Sequence, residues 1–272
     1  MHCRDRRGAR NNVDGTLPQL MLALGSGSLI GCILGLLGGG GSILATPLLV
    51  YVVGMRDVHT AIGTGALAVS ANAYLNLAGH ALKGHVWWRC ALIFAIAGCL
   101  GAYLGSSLGK LIDGQSLLFM FGLLMMLVSF IMKRTRSQAG VTAQSLTIRA
   151  HGKTSLIALF AGGCSGLFGI GGGFLIVPGL LVATGMPLIN AIGTSLLAVG
   201  TFGLATAVNY AASGFVDWLT AGYFILGGIG GGIVGTIAAT RLANYRNVLA
   251  QVFRWVILCV SLYVLWRSYA AL

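Results

Sequence analysis

The chain has 272 residues, of which 57% are hydrophobic and only 8% are charged. A soluble domain carries about one quarter charged residues, so this chain could not cover a water-exposed surface of its size. The mean hydropathy of +0.89 agrees, and much of the surface must face lipid instead of water.

The formal net charge is +12, from 17 Lys and Arg residues against 5 acidic ones. The basic residues lie in tails and loops between apolar segments, so they predict membrane topology, and no soluble basic domain is left to bind nucleic acid. The 6 cysteines form neither a CxxC motif nor a Cys/His pair at ligand spacing. We therefore expect no disulfide framework, no metal site and no cofactor.

Apolar segments follow one another along the chain after a basic tail at 1–16, which we place in the cytoplasm. A segment needs about 20 residues to cross the hydrocarbon core. Eight segments reach or approach this length: 17–38, 61–82, 87–108, 115–132, 155–170, 189–212, 219–239 and 247–265. Two shorter ones, 43–53 and 174–184, each follow a glycine cluster. The only long polar connection is the basic loop 133–154, also expected to be cytoplasmic.

An internal repeat divides the chain into 17–132 and 155–272. The first copy reads GLLGGGGSILATPLLVYVVGM from Gly35, and the second reads GLFGIGGGFLIVPGLLVATGM from Gly166. Pro47 and Pro178 occupy the same position of the two copies, where we expect structural hinges, and AIGT follows both. Repeats of this kind are common in transporter folds. The sequence predicts an all-α polytopic membrane protein of about eight transmembrane helices in two homologous repeats, each with a glycine-broken short helix.

The basic tail and the basic loop favour one orientation of the repeats. If both lie in the cytoplasm, the first repeat crosses an even number of times. Four full crossings and a re-entrant piece at 43–53 satisfy this condition, and the two repeats are then parallel. Five crossings per repeat, which would make the repeats inverted, remain the less favoured alternative.

The two glycine clusters are the main candidates for a binding site. Consecutive glycines break a helix, and the freed backbone groups are tolerated at membrane depth only inside protein or a water-filled cavity. The short helix that follows presents free N–H groups and a dipole that favour an anion. The expected substrate-binding glycines are Gly38, Gly39, Gly40 and Gly41 in the first repeat and Gly169, Gly171, Gly172 and Gly173 in the second.

Close helix packing is the alternative role for glycine, because small residues let two backbones approach. We assign this role to glycines that recur at helical spacing and not in runs. These are Gly31 and Gly35, then Gly101, Gly105 and Gly109, and finally Gly227, Gly231 and Gly235.

Polar side chains inside apolar segments complete the candidate site. Thr64 and Thr194 occupy matched AIGT positions, with Ser195 beside the second. Their hydroxyls could cap the backbone or donate to an anion, and both roles stay open. Asn72 and Asn76 share one helical face, so we favour a role in lining the path, with bonds between helices as the alternative.

The positions of the acidic residues argue against other functions. Asp57, Asp113 and Asp217 all fall near segment ends, which disfavours a cation channel or a carboxylate-driven antiporter. We expect His80 to be a solvated histidine at the membrane interface. The chain contains no glutamate and hence no HExxH motif, and its other catalytic patterns lack the required context, so we do not expect an enzyme.

The doubled motif, GLLGGGGSILATPLL and GLFGIGGGFLIVPGLL with GM and AIGT after each, resembles the TauE/SafE sulfite-exporter-type family of membrane permeases. The resemblance covers nearly the whole chain after the tail. It implies a multi-pass permease of the bacterial inner membrane, with about eight helices in two related halves, for small sulfur-containing anions such as sulfite or organosulfonates. Ile170 interrupts the second cluster, and the basic tail is longer than expected for the family.

We therefore expect a permease that moves a small sulfur-containing anion by alternating access, with a channel-like pore for an anion or small solute as the alternative. The expected partners are the anionic substrate and the lipid bilayer. The sequence leaves open a homo-oligomer.

Overall fold

The computed structural model describes residues 17–134, 148–169, 173, 176–177, 180, 186, 188–241 and 246–269, which form helices and turns without a strand. Eight of these helices are long: α1 (Leu17–Leu37), α2 (Val58–Leu82), α3 (Trp88–Gly109), α4 (Gly114–Arg134), α5 (Ile148–Phe168), α6 (Leu188–Ala212), α7 (Trp218–Arg241) and α8 (Arg246–Tyr269). They correspond in order to the eight predicted apolar segments.

Several of these helices have the character of membrane spans. Among the described residues, four helical stretches are long and apolar enough to cross a bilayer: Leu17–Val52, Trp88–Gly109, Ile189–Ala212 and Trp218–Ala239. On α3 an exposed apolar stripe runs through Leu92, Ile96, Leu100, Leu104 and Leu108. A stripe of this length suits contact with lipid. The predicted all-α polytopic membrane fold is confirmed.

Aspartates begin three of the long helices. Asp57, Asp113 and Asp217 each precede a helix and accept hydrogen bonds from backbone N–H groups of its first turn. An aspartate at this position satisfies donors that have no partner inside the helix and complements the helix dipole. These three carboxylates therefore stabilise helix ends and leave the middle of the bundle without an acidic group in the described residues.

The chain between α1 and α2 is helical but irregular, and we call residues 38–52 the broken segment. It begins as a 3-10 helix at Gly38–Leu44, continues as one α-helical turn at Ala45–Pro47 and ends as a π-helix at Leu48–Val52. All residues of the first two parts are buried. The predicted short helix thus exists in the first repeat, although it begins earlier than 43. Its counterpart at 174–184 lies largely outside the described residues.

Helices α2 and α6 occupy the middle of the bundle and run antiparallel. The hydroxyl of Thr64, near the start of α2, accepts a hydrogen bond from the backbone of Asp217, beyond the end of α6 (2.9 Å). In the middle, Ser70 Oγ donates to the carbonyl of Gly200 (2.7 Å). At the other end, the backbone N–H of Trp87 donates to Thr194, near the start of α6 (3.1 Å).

Glycines allow two further helix pairs to approach closely. A Cβ atom on Gly31 or Gly35 of α1 would collide with the backbone of α7, and Gly231 and Gly235 of α7 would collide with α1 in return. The same relation joins α3 to α5, where Gly101 and Gly105 meet Leu159 and Gly163. The packing role that the sequence predicts for these glycines is confirmed, since backbone contact leaves no room for a side chain.

The order of contacts fixes the direction of the helices. On α1, Gly27, Gly31 and Gly35 meet progressively later residues of α7, so α1 and α7 run parallel. On α2, Asn72 and Gly79 meet Gly228 and Thr236 of α7, so α2 runs the same way. Because α1 and α2 are parallel, the broken segment must run back between them, and it is a pass in itself.

The two halves are consequently inverted. Helix α3 runs parallel to α6, as the bonds from Trp87 to Thr194 and from Asn209 to Ser106 show, and α5 runs parallel to α3. The direction of α5 is thus opposite to that of its equivalent, α1. The favoured parallel arrangement of the repeats is therefore wrong, whereas the tail and most of the central loop lie outside the described residues. The re-entrant description of 43–53 fails for the same reason, because the broken segment adds a fifth pass.

Candidate functional site

The first glycine cluster forms a buried break between two helical directions. Gly38 has a φ of 68°, a left-handed conformation that glycine adopts without strain. Gly38, Gly39, Gly40 and Gly41 are all buried, and Leu37, the residue before this 3-10 helix, provides no side-chain cap. Ser42 Oγ donates to the carbonyl of Gly39 (2.7 Å). The cluster therefore lies inside the protein, where backbone polar groups are shielded from lipid.

The second cluster meets the first one. A Cβ atom on Gly39 would overlap the backbone of Gly173, and a Cβ atom on Gly173 would overlap the backbone of Gly39. The two backbones are thus in direct contact where the halves of the chain join. Of the other predicted residues of this cluster, Gly169 is described, whereas Gly171, Gly172 and the predicted hinge Pro178 lie outside the described residues.

Each cluster also rests on the AIGT motif of the opposite half. Gly169 has a φ of 66°, nearly the same as Gly38. Gly38 packs against Ile192 and Gly169 packs against Ile62, which are the isoleucines of the two AIGT motifs. A conformational change at one cluster would therefore displace the helix of the other half on which that cluster packs.

Ser195 contacts the first cluster directly. Its Oγ atom accepts a long hydrogen bond from the N–H of Gly39 (3.4 Å) and donates to the carbonyl of Ile192 (2.8 Å). Ser195 is buried together with the glycines. The structure thus brings Ser195 to the predicted glycine site, whereas the sequence alone did not distinguish it from Thr194 beside it.

Thr64 and Thr194 stabilise connections between helices instead. Their hydroxyl oxygens accept from the backbone N–H groups of Asp217 and Trp87, the residues that precede α7 and α3. Both threonines are wholly buried. Of the two roles left open by the sequence, the structure favours the hydrogen bond to backbone.

Asn72 and Asn76 face α7. Thr236 Oγ1 donates to Asn76 Oδ1 (3.1 Å), and Asn76 Nδ2 donates to the carbonyl of Asn72 (2.9 Å). The side chain of Asn72 packs on Gly228, and among the described residues its amide has no hydrogen-bond partner. In this structure both amides fill the interface with α7, whereas the favoured role in lining the path stays a prediction.

Two other positions differ from expectation. His80 is 1% exposed, with Nε2 3.4 Å from the carbonyl of Gly35, so the expected solvated histidine is wrong. Pro47 closes the short α-helical turn of the broken segment and precedes the π-helix, where the backbone changes its pitch. Arg56 and Arg267 line a pocket at one end of the bundle and were not among the predicted site residues. They lie far apart in the chain, so no local motif joins them.

Comparisons with known proteins agree on one family. The model of the family described as "Sulfite exporter TauE/SafE" matches residues 23–264. A "Probable membrane transporter protein" of Xylella fastidiosa (strain 9a5c) is 59% identical over 94% of this chain and 99% of its own length. The "Probable membrane transporter protein YdhB" of Bacillus subtilis is 25% identical over 82% of this chain and 89% of its own. No solved structure matches the chain.

Proposed function

The chain belongs to the sulfite exporter TauE/SafE family of membrane transporters, and we propose that it moves a small sulfur-containing anion across the bacterial inner membrane by alternating access. The observation that carries this proposal is the buried contact between Gly39 and Gly173. It joins one helix break from each half at a place that contains no charged side chain among the described residues.

The chemistry of this place suits an anion. Burying a charge is costly unless hydrogen bonds replace its water shell. Backbone N–H groups at the start of a helix can supply such bonds to oxyanions. At the start of the 3-10 helix at Gly38–Leu44, the N–H of Gly39 makes a long 3.4 Å hydrogen bond to Ser195 Oγ, which an anion would replace. A carboxylate would favour a cation instead, but Asp57, Asp113 and Asp217 serve as helix caps.

The tight packing supports a carrier over an open pore. Gly39 and Gly173 approach so closely that even a methyl group would overlap backbone atoms. An anion therefore needs the two halves to separate before it can enter between the clusters. Such a separation, alternately towards the two ends of the bundle, is what alternating access requires.

Uptake into proteoliposomes tests the proposal. We expect saturable uptake of radiolabelled sulfite, thiosulfate or taurine that is accelerated by the same unlabelled anion inside. Gly40→Val should reduce this uptake strongly, because Gly40 is buried in the first cluster. Gly230→Val is the matched control, since a Cβ atom at Gly230 meets nothing within 4 Å. Uptake without acceleration would indicate a channel, and equal uptake by both variants would refute the glycine site.

A further inference from the structure

A pocket of about 640 Å³ opens at the end of the bundle where α2 begins. It lies between the end of the broken segment, the start of α4 and the end of α8. The residues that matter for its chemistry are Tyr51, Arg56, Gln115, Leu118, Trp266 and Arg267. It is separate from the glycine clusters, and the proposed function does not assign it a role.

Two arginines give this pocket a positive character. Arg56 and Arg267 both line it, and no acidic residue is among the described residues that do so. The guanidinium of Arg267 lies 5.8 Å from the ring centroid of Tyr51, a contact that holds the cation over the aromatic face. The carboxylates next in the chain to the pocket, Asp57 and Asp113, accept hydrogen bonds from helix starts. The arginines are therefore available for a ligand.

The pocket points towards the glycine clusters. Val58 and Leu118 line it and also line a narrow apolar gap with no room for water, whose far side is formed by Ile62 and Phe168. Ile62 is the residue against which Gly169 packs. A dry layer of apolar side chains thus separates the two arginines from the second cluster.

We propose that this pocket is an anion vestibule, in which Arg56 and Arg267 hold a small oxyanion before it crosses the apolar layer at Val58, Leu118 and Ile62. Guanidinium groups bind oxyanions through paired, charge-assisted hydrogen bonds. That the bound anion is the transported one rests on the proposed function. The phosphate of an anionic lipid presents the same chemistry, and the experiment distinguishes the two sources.

Trp266 provides a local reporter of binding, because it lines the pocket with Arg267. We would titrate sodium sulfite into the purified protein in phosphatidylcholine nanodiscs and follow tryptophan emission. Trp266→Phe should abolish the change. Arg56→Gln and Arg267→Gln should each raise the Kd about fivefold, the effect of one charge-assisted hydrogen bond reduced by exposure to solvent.

Two further variants serve as controls. Arg89→Gln removes an exposed positive charge at the start of α3, at the opposite end of the bundle, and should leave the Kd within about twofold, since distant exposed charges are screened by salt. Arg267→Lys keeps the charge and should restore part of the affinity. An unchanged Kd in both glutamine variants, or no saturable emission change in the wild type, would overturn the vestibule.

Two further measurements, one with an anionic lipid and one of transport, complete the test. If phosphatidylglycerol in the nanodisc weakens sulfite binding, the headgroup occupies the same arginines; if it does not, the vestibule is reserved for the small anion. The same proteins are then assayed for uptake. Arginine-dependent binding without any sulfite uptake would refute the proposed function and support the vestibule. Sulfite uptake with a KM that is unchanged in both arginine variants would support the proposed function and refute the vestibule.

Discussion

A single methyl group at Gly39 should disrupt the contact between the two halves. In Gly39→Ala the new Cβ atom would lie 2.6 Å from Val199 Cγ2 and 2.9 Å from the carbonyl carbon of Gly173. Carbon atoms pack best at about 3.5–4.0 Å, so the neighbours must retreat by about 1 Å. Gly173 presents backbone there and cannot move by changing a rotamer. Overpacking of this kind costs about 1–3 kcal/mol.

This cost weakens the closed contact by a factor of about 5 to 150. If transport passes through the closed contact, initial sulfite uptake into proteoliposomes should fall by at least about fivefold in Gly39→Ala. Gly230→Ala is the control, because its Cβ atom meets nothing and alanine favours a helix by about 1 kcal/mol over glycine. If Gly39→Ala takes up sulfite at the wild-type rate when equal amounts of protein are reconstituted, the contact takes no part in transport.

The inverted arrangement and the glycine interfaces can be tested in the same way. In a cysteine-free background, Leu82→Cys and Ala212→Cys occupy equivalent exposed helix ends, and a membrane-impermeant maleimide should label only one of them in sealed cells; equal labelling would support parallel repeats. Gly31→Leu should lower the thermal stability in detergent, because Gly31 meets the backbone of Gly228, whereas Gly25→Leu should not, because a Cβ atom there meets nothing. Equal melting temperatures would contradict the packing role.

The sequence predicts the helices and the glycine clusters well because both depend on local properties. Segment length and hydropathy determine what can span a bilayer, and the eight long helices lie where the apolar segments are. Four consecutive glycines cannot continue a regular helix without cost, and α1 does end at Leu37. The repeat then identifies Gly169 as the counterpart of Gly38, and the two share a left-handed backbone.

The orientation of the repeats could not be predicted in this way. Basic loops indicate orientation only when the number of passes in each repeat is known, and that number depends on whether residues 38–52 return to the same end. Only the contacts of α1 and α2 with α7 show that these two helices are parallel. A short apolar segment after a glycine cluster fits both arrangements, so direction had to come from three-dimensional contacts.

The roles of the buried polar side chains were beyond prediction for a similar reason. Spacing places Asn72 and Asn76 on one face of α2, which the structure confirms, but it cannot say which neighbour that face meets. The neighbour is α7, whose Gly228 and Gly232 leave room for the two amides. Small residues on the partner helix explain the fit, and they could be matched to the asparagines only after the helix pairing was known.

Inverted halves have a mechanical consequence for a carrier. Because Gly38 rests on Ile192 and Gly169 rests on Ile62, neither glycine break can rearrange without the core helix of the other half. When two halves of similar fold are inverted, an exchange of their conformations turns a state open at one end into a state open at the other. The arginine pocket beside Val58 lies at one end of the bundle, and the apolar layer at Ile62 and Phe168 separates it from the second cluster. In the proposed carrier, such an exchange would close the end with this pocket and open the opposite end, so that one anion site between the glycine clusters serves both sides in turn.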